Sequence, residues 1–317
     1  MTPSSLHACF LVGCTATGKT ETAHRIAEKR GWYILSADSM CVYRDMNVGT
    51  AKPTPDQRRR VCYFGIGLVA PDEPFSAWDY RNYALGVLSE AASRYRKVIV
   101  AGGTGLYVKG LIDGLADVPG PDPEKRRRWL DIAEKEGVEP LCRALEKSAP
   151  KLYETLSDKS NPRRLVRALE MAEAGITEPP RNWSGGESAD TVPVPGLSVP
   201  DTELKERIDD RVRLMFDGGL MEEARCLSEK YENLGRTASH AIGYREALDC
   251  LAGKCTKREA VEKTSARTRQ LARRQKTWFR HQAKVKWIQA GSDRDPDEIA
   301  GDVCDHWDRY GASLVRE

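Results

Sequence analysis

The sequence predicts an α/β protein whose parallel sheet is interrupted by an all-helical insert. Short apolar runs at residues 9–12, 33–37 and 97–101 read as buried strands, and they alternate with longer segments of helical periodicity. This alternation is typical of βαβ units, which build parallel sheets. Between about Asp117 and Gly175 the pattern is entirely helical, with Pro and Gly residues on both sides.

A phosphate-binding motif, G-x-x-x-x-G-K-[ST], follows the first apolar run and precedes a helical segment. Its glycines allow the backbone to aim successive N–H groups at an anion, and the next helix adds further donors. We therefore expect a P-loop NTPase-like core that binds a di- or triphosphate, with the lysine on the outer phosphate and the last threonine on Mg²⁺. The motif consists of Gly13, Cys14, Thr15, Ala16, Thr17, Gly18, Lys19 and Thr20.

The 317 residues allow about two domains. We expect residues 1–116 to form the first part of the α/β core and residues 117–190 to form the helical insertion domain. Residues 191–317 are expected to complete the core and to add basic C-terminal helices. Within them, the apolar segment 192–199 could return the chain to the sheet as a strand, and residues 285–288 could form a final strand.

Cysteine usage and hydropathy bound the class of protein. The nine cysteines are scattered and form no C-x-x-C pair, which indicates reduced thiols and argues against a disulfide framework or a zinc site. No apolar run is long enough for a membrane span. We therefore expect a cytoplasmic protein that does not associate with membranes.

Charge is distributed unevenly along the chain. Residues 254–286 contain twelve Lys and Arg against two acids, a balance of +10, which leaves −7 for the rest of a chain whose net charge is +3. A basic segment on an otherwise acidic protein is typical of a polyanion-binding surface. The alternative is a solvated helix face with no ligand.

Polar residues follow two of the predicted strands. Asp38 comes directly after residues 33–37, and in a parallel sheet it should face the same crevice as the phosphate loop. Alternatively, Asp38 or Ser39 caps the next helix. The strand at 97–101 ends in Gly102, Gly103 and Thr104 and lacks the Mg²⁺-holding acid that many nucleotide hydrolases carry there. These small residues allow a ligand or a neighbouring backbone to approach closely.

Arg207 and Arg211 lie four residues apart on a helical segment, off its apolar face. Like charges at this spacing repel each other, so a shared anionic partner would explain the pair. Ordinary surface arginines are the alternative.

Together these motifs resemble those of the bacterial tRNA dimethylallyltransferases, also called tRNA isopentenyltransferases. The most specific matches are Gly49-Thr50-Ala51-Lys52-Pro53 and the run from Thr268 to Arg280, which reads T-R-Q-L-A-R-R-Q-K-T-W-F-R. The phosphate loop and the segments 36–43, 102–107, 161–170, 207–211 and 243–245 match in the same order. The resemblance covers nearly the whole chain.

The resemblance implies that a dimethylallyl group passes from dimethylallyl diphosphate to the exocyclic amine of the adenosine on the 3′ side of the tRNA anticodon. The phosphate loop would hold the donor's diphosphate, and the insert would hold the anticodon stem-loop of a tRNA bound by a monomeric enzyme. Asp38 would be the general base or the hydrogen-bond acceptor for the amine, Thr20 would help to position it with Mg²⁺, and Arg211 would meet the diphosphate. The implied tRNA contacts are Asp38, Ser39, Met40, Cys41, Thr104, Lys125, Arg163, Arg164, Arg167, Arg273 and Arg274.

The chain departs from this family's usual pattern at two places. Cys41 stands where glutamine is usual, and Tyr63-Phe64 stands where a pair of histidines is usual. Two other functions fit the residues: a small-molecule P-loop kinase in which Asp38 activates a hydroxyl, and a tRNA-binding protein without catalysis. The first would consume ATP, and the second would leave Asp38 without a role.

Overall fold

The computed structural model describes residues 5–115, 118, 120, 122–180 and 192–316. The chain divides into two compact units, one made of Met1–Gly114 and Glu187–Glu317 and the other of Leu115–Gly186. The domain limits predicted at 116/117 and 190/191 fall on residues outside the described ranges, so that division stays a prediction. No helix within these ranges combines the length and the apolar composition that a membrane span requires.

One sheet forms the centre of the first unit. Its described strands run in the order β3-β2-β4-β1-β5-β6 and pair in parallel, whereas β7 pairs antiparallel with β1. The expected parallel α/β core is therefore confirmed. Residues 285–288 do form a strand, within β6, but it is not the last one, because β7 follows it. The strands are β1 His7–Gly13, β2 Tyr33–Ser36, β3 Tyr63–Phe64, β4 Val98–Gly102, β5 Val194–Ser198, β6 Val285–Gln289 and β7 Ser313–Leu314.

Strand β1 lies deepest in this sheet. Every residue from Ala8 to Gly13 is buried, because β4 and β5 flank the strand and helices cover the sheet. The first-unit helices are α1 Lys19–Arg30, α2 Pro55–Arg60, α3 Ala77–Ser93, α4 Gly105–Ile112, α9 Asp201–Asp217, α10 Leu220–Lys230, α11 Arg236–Ser239, α12 Tyr244–Leu251, α13 Lys257–Gln282 and α14 Pro296–Tyr310.

The second unit contains the helices α5 Pro123–Glu136, α6 Glu139–Ser148, α7 Pro150–Thr155 and α8 Pro162–Glu173. Its apolar core is separate from that of the sheet and centres on the fully buried Leu141, Leu145, Leu152 and Leu165. Helices α5 and α8 begin at Asp122 and Asn161, whose side chains accept hydrogen bonds from the first backbone N–H groups.

The carboxyl ends of the parallel strands bring the predicted site residues to one edge of the sheet. The phosphate loop follows β1, Asp38 follows β2, and Gly103 follows β4. Because β4 lies between β1 and β2, these three strand exits are neighbours, as expected for a parallel α/β sheet.

Candidate active site

A cavity of ≈ 340 Å³ opens at this edge of the sheet. The phosphate loop forms one wall, with Thr15, Ala16 and Gly18 to Thr20 in the lining. Gly13 and Gly18 adopt positive φ angles of 145° and 89°. A Cβ on Gly13 would lie 2.7 Å from the carbonyl oxygen of Leu197, so the first turn of the loop requires glycine.

Lys19 and Arg211 are two of the cations that line the cavity. Lys19 is 9% exposed, and its ammonium donates a hydrogen bond to the backbone carbonyl of Cys14. Burial, with a smaller contribution from Arg211, lowers the pKa of Lys19 to about 8 against the opposing effects of Cys14 and Asp38. Arg211 comes from α9, and burial lowers its pKa as well.

Arg211 makes no hydrogen bond or ion pair with any described side chain or backbone group. Its neighbour on the helix differs: Arg207 pairs with Glu203 at 2.6 Å and donates to the carbonyl of Ala290 at 3.0 Å. Of the two arginines that the sequence singled out, Arg211 therefore lines the cavity and Arg207 does not. Two desolvated cations around one cavity favour an anionic ligand.

Asp38 lies in the same lining, at the end of β2. Its Oδ1 accepts a hydrogen bond from the backbone N–H of Met40 at 2.8 Å, which fixes the orientation of the carboxylate. No described group donates to Oδ2. Asp38 thus stabilises a local turn and does not cap a helix, because the next helix, α2, begins only at Pro55. It still presents one oxygen for another partner.

The Gly102-Gly103-Thr104 turn brings the exits of β2 and β4 together. A Cβ on Gly102 would lie 2.2 Å from the carbonyl oxygen of Ala37, so that strand can approach only a glycine. Thr104 Oγ1 accepts from the N–H of Ser39 at 3.0 Å. Among the described residues, the lining does not include Ser39, Met40 or Thr104.

Of the three residues that depart from the family's usual pattern, Cys41 and Tyr63 line this cavity. Burial raises the pKa of Cys41 to about 12, so the thiol stays neutral at physiological pH. Tyr63 stacks on His24 with ring centroids 6.0 Å apart, and its hydroxyl forms a 2.8 Å hydrogen bond with His24 Nδ1. Burial raises the pKa of this tyrosine as well.

Three side chains that the sequence analysis did not name as site residues also contribute to the site. Lys52, 9% exposed, lines the cavity and donates to the carbonyl of Tyr43 and to Asn47 Oδ1. Glu223 accepts from the backbone N–H groups of residues 47, 48 and 49, which holds the loop that carries Lys52. Gln275 enters from α13. Motif membership was the available signal for Lys52 and Gln275, whereas nothing in the sequence marked Glu223.

A comparison with known families decides the class of this site. The sequence model of the family described as IPP transferase matches residues 41–282, which is most of the chain. The chain belongs to the IPP transferase family. The resemblance inferred from the motifs, the enzyme class and the P-loop NTPase-like fold are thereby confirmed.

Relatives of this IPP transferase match along nearly their whole length. The tRNA dimethylallyltransferase 2 of Geotalea uraniireducens is 37% identical and covers 94% of both chains. The tRNA dimethylallyltransferase of Streptomyces griseus is 39% identical over 94% of this chain and 96% of its own. The full-length tRNA isopentenylpyrophosphate transferase of Bacillus halodurans superposes with a TM-score of 0.67 at 32% identity, covering 96% and 97% of the two chains.

A eukaryotic dimethylallyltransferase, solved while acting on tRNA, has the same fold. Its TM-score is 0.75 at 22% identity, over 95% of this chain and 78% of that one.

Helix α13 of this IPP transferase carries two kinds of basic residue. Those with an acidic partner are Lys257 with Asp217, Arg258 with Glu262, Arg267 with Glu246, Arg269 with Asp209 and Lys276 with Asp201. Exposed cations without a hydrogen bond or ion pair to any described residue are Lys263, Arg273, Arg274 and Arg280, followed beyond the helix by Lys284 and Lys286. The second set lies mostly in the C-terminal half of the segment.

The remaining predicted RNA contacts of the IPP transferase belong to the second unit and are described within it. Arg163 and Arg164 are exposed on α8, and Arg164 donates to Ser157 Oγ at 2.6 Å. Arg167 pairs with the buried Glu170, and Lys125 lies 3.8 Å from the carboxylates of both Asp122 and Glu173. Charge in this unit is therefore partly neutralised from within.

A divalent ion fits the part of the cavity that the phosphate loop lines. Thr20 is exposed at the start of α1 and lines the cavity, while the described residues contain no cluster of three His, Cys, Asp or Glu side chains suited to a metal. Mg²⁺ commonly binds through one or two protein oxygens plus substrate phosphates and waters. The Thr20 hydroxyl, beside the phosphate loop, is one such protein oxygen.

Proposed function

We propose that this chain transfers a dimethylallyl group from dimethylallyl diphosphate to the exocyclic amine of the adenosine on the 3′ side of the tRNA anticodon, releasing diphosphate. The observation that carries this proposal is the cavity in which Lys19 and Arg211 face Asp38 beside the phosphate loop. The cations suit a leaving diphosphate, and the carboxylate suits an amine that must lose a proton.

Bond formation joins the amine nitrogen to the allylic carbon, and the bond from that carbon to the diphosphate oxygen breaks. The adenine amine is a weak nucleophile because its lone pair is delocalised into the ring. Asp38 accepts its proton as the new bond forms, which is general-base catalysis. Oδ2 suits this role, since Oδ1 is engaged with Met40.

The donor's diphosphate lies on the backbone donors of residues 13–20, with Lys19 and Arg211 stabilising the charge that develops on the leaving group. The Thr20 hydroxyl would hold Mg²⁺, which supplies further stabilisation of that charge. Both cations are desolvated, so their interaction with an anion is stronger than it would be at the surface.

RNA binds through exposed and partly buried cations of the two units. Arg273, Arg274 and Arg280 provide phosphate contacts from α13, and Arg163, Arg164, Arg167 and Lys125 contact the anticodon stem-loop from the insert at 117–190. Ser39, Met40, Cys41 and Thr104 surround the adenosine, with Cys41 as a neutral neighbour. We assign the enzyme to the cytoplasm as a monomer.

The direct test incubates the protein with dimethylallyl diphosphate, Mg²⁺ and tRNA, and detects modified adenosine by mass spectrometry. Asp38→Asn should keep the binding of both substrates and lower kcat by about 10²-fold or more. Asp72→Asn, at an exposed loop position, is the matched control and should leave kcat unchanged. Transfer by Asp38→Asn within a few-fold of the parent would reject the base assignment, and consumption of ATP would favour a kinase.

A further inference from the structure

Gln275 connects two walls of the cavity through a single amide. Its Oε1 accepts from the backbone N–H of Thr15 at 2.8 Å, and its Nε2 donates to the carbonyl oxygen of Gly103 at 3.0 Å. Thr15 belongs to the phosphate loop and Gly103 to the exit of β4. The side chain that joins them comes from α13, which also carries the exposed Arg273 and Arg274.

The two partners require an amide in particular. The backbone N–H of Thr15 lies outside any helix or strand, and the carbonyl oxygen of Gly103 lies at the end of a strand. Neither group has a partner within regular secondary structure, so each needs a hydrogen bond from a side chain or from water. A neutral amide presents one acceptor and two donors at the same time. A carboxylate lacks the donor, an ammonium lacks the acceptor, and an aliphatic side chain lacks both.

Gly103 is part of the same contact. A Cβ at this position would lie 2.4 Å from Gln275 Nε2 and 3.2 Å from the carbonyl oxygen of Gly13. The backbone conformation of Gly103 does not have a positive φ, so the space above its Cα is what requires glycine. The glycine therefore leaves room for the amide, which in turn holds the loop.

We propose that Gln275 is a positioning residue of the donor site: it fixes the first half of the phosphate loop against the exit of β4. The proposal rests on the proposed function, in which this loop holds the donor's diphosphate. Gln275 acts through the backbone of Thr15, so its removal should weaken diphosphate binding more than RNA binding.

The experiment measures the dissociation constants of inorganic pyrophosphate with Mg²⁺, by calorimetry, and of an anticodon stem-loop RNA. Gln275→Ala should weaken pyrophosphate binding about tenfold, the effect of losing one or two hydrogen bonds, and leave RNA affinity within about twofold. Gln270→Ala, an exposed glutamine on the same helix, should change neither. Gln275→Glu keeps the acceptor for Thr15 but loses the donor to Gly103 and adds a negative charge beside the anion, so it should bind pyrophosphate no more tightly than Gln275→Ala.

A double-mutant cycle with Gly103→Ala supplies a readout that general destabilisation would not give. Alone, Gly103→Ala should weaken pyrophosphate binding because its methyl group displaces the amide. In the Gln275→Ala background that methyl group has room, so the combined loss should be clearly smaller than the product of the two single losses. Multiplicative losses, or equal pyrophosphate affinity of Gln275→Ala and Gln270→Ala, would overturn the proposal. Failure of the parent protein to bind pyrophosphate would overturn the donor assignment together with it.

Discussion

Lys19 is buried in the cavity that we propose for the donor, so we expect donor binding there to depend on pH. Because its pKa is lowered to about 8, the ammonium loses its proton as pH rises through that value. We expect the affinity for pyrophosphate to fall between about pH 7 and pH 10, after correction with Lys19→Ala for titration of the ligand. A parent protein with the same pH profile as Lys19→Ala would contradict this assignment.

The stability of the ligand-free protein should change in the opposite direction. An unfolded lysine has its ordinary pKa of 10.5, so between about 8 and 10.5 the unfolded state binds more protons than the folded state. The contribution of Lys19 to the free energy of unfolding therefore rises with pH in that window. Denaturant unfolding of the parent and of Lys19→Ala, compared across this range, measures the contribution.

Arg211 offers a test with a matched control on the same helix. Arg211→Gln removes a guanidinium that has no partner among the described residues, and it should lower kcat/KM for the donor by about 10²-fold. Arg213→Gln removes an exposed guanidinium that lies 2.8 Å from Asp210, and it should have little effect. Steady-state kinetics of both variants is the measurement, and equal losses would mean that Arg211 has no special role.

The sequence predicted those site residues whose type is restricted by the chemistry of the ligand. The phosphate loop and Asp38 were predicted because a strand, a glycine turn and a helix must follow one another around a bound phosphate. Glu223 and Gln275 could not be predicted in the same way, because their partners are backbone groups more than a hundred residues away. Such contacts depend on the tertiary fold and leave no local pattern.

At the scale of single elements, α13 shows why net charge overstates a binding surface. The segment 254–286 has a balance of +10, but the N-terminal half of the helix uses much of its charge in ion pairs with other helices. The exposed cations without such partners are concentrated toward its C-terminal end. Composition predicted the basic helix, whereas the division between paired and unpaired residues required the structure.

Salt dependence tests this division. Replacing Arg273 and Arg274 together by Gln should reduce the slope of log affinity against log salt by up to about two units, because each phosphate contact contributes roughly 0.7–0.9. Replacing Lys257 and Arg258 together by Gln removes the same charge from residues with acidic partners and should change the slope much less. RNA binding at several salt concentrations measures both slopes, and equal reductions would show that the ion pairs do not matter.

At the scale of the whole molecule, the two units have separate apolar cores. Leu145→Ala removes a fully buried side chain from the second unit and should destabilise that unit by about 2–5 kcal/mol. RNA affinity should fall, whereas pyrophosphate binding, which depends on the first unit, should persist. Hydrogen exchange of each unit, together with both dissociation constants, checks this expectation.

The control for this variant is Leu111→Ala, which removes a fully buried side chain of the first unit. It should weaken pyrophosphate binding and leave hydrogen exchange in the second unit unchanged. If Leu145→Ala reduced both affinities equally, the functions of the two units would not be separable.

The path of the chain through the site has a consequence for biosynthesis. The ribosome makes the phosphate loop 260 residues before it makes the side chain that holds Thr15. At about 5–20 residues per second, roughly tens of seconds separate the two during translation. Strand β5, the second neighbour of β1, also follows the entire insert. In a nascent chain, the phosphate loop therefore lacks its contact with Gln275 until that residue has been made, and the edge of β1 that pairs with β5 stays open until the insert and β5 have been made.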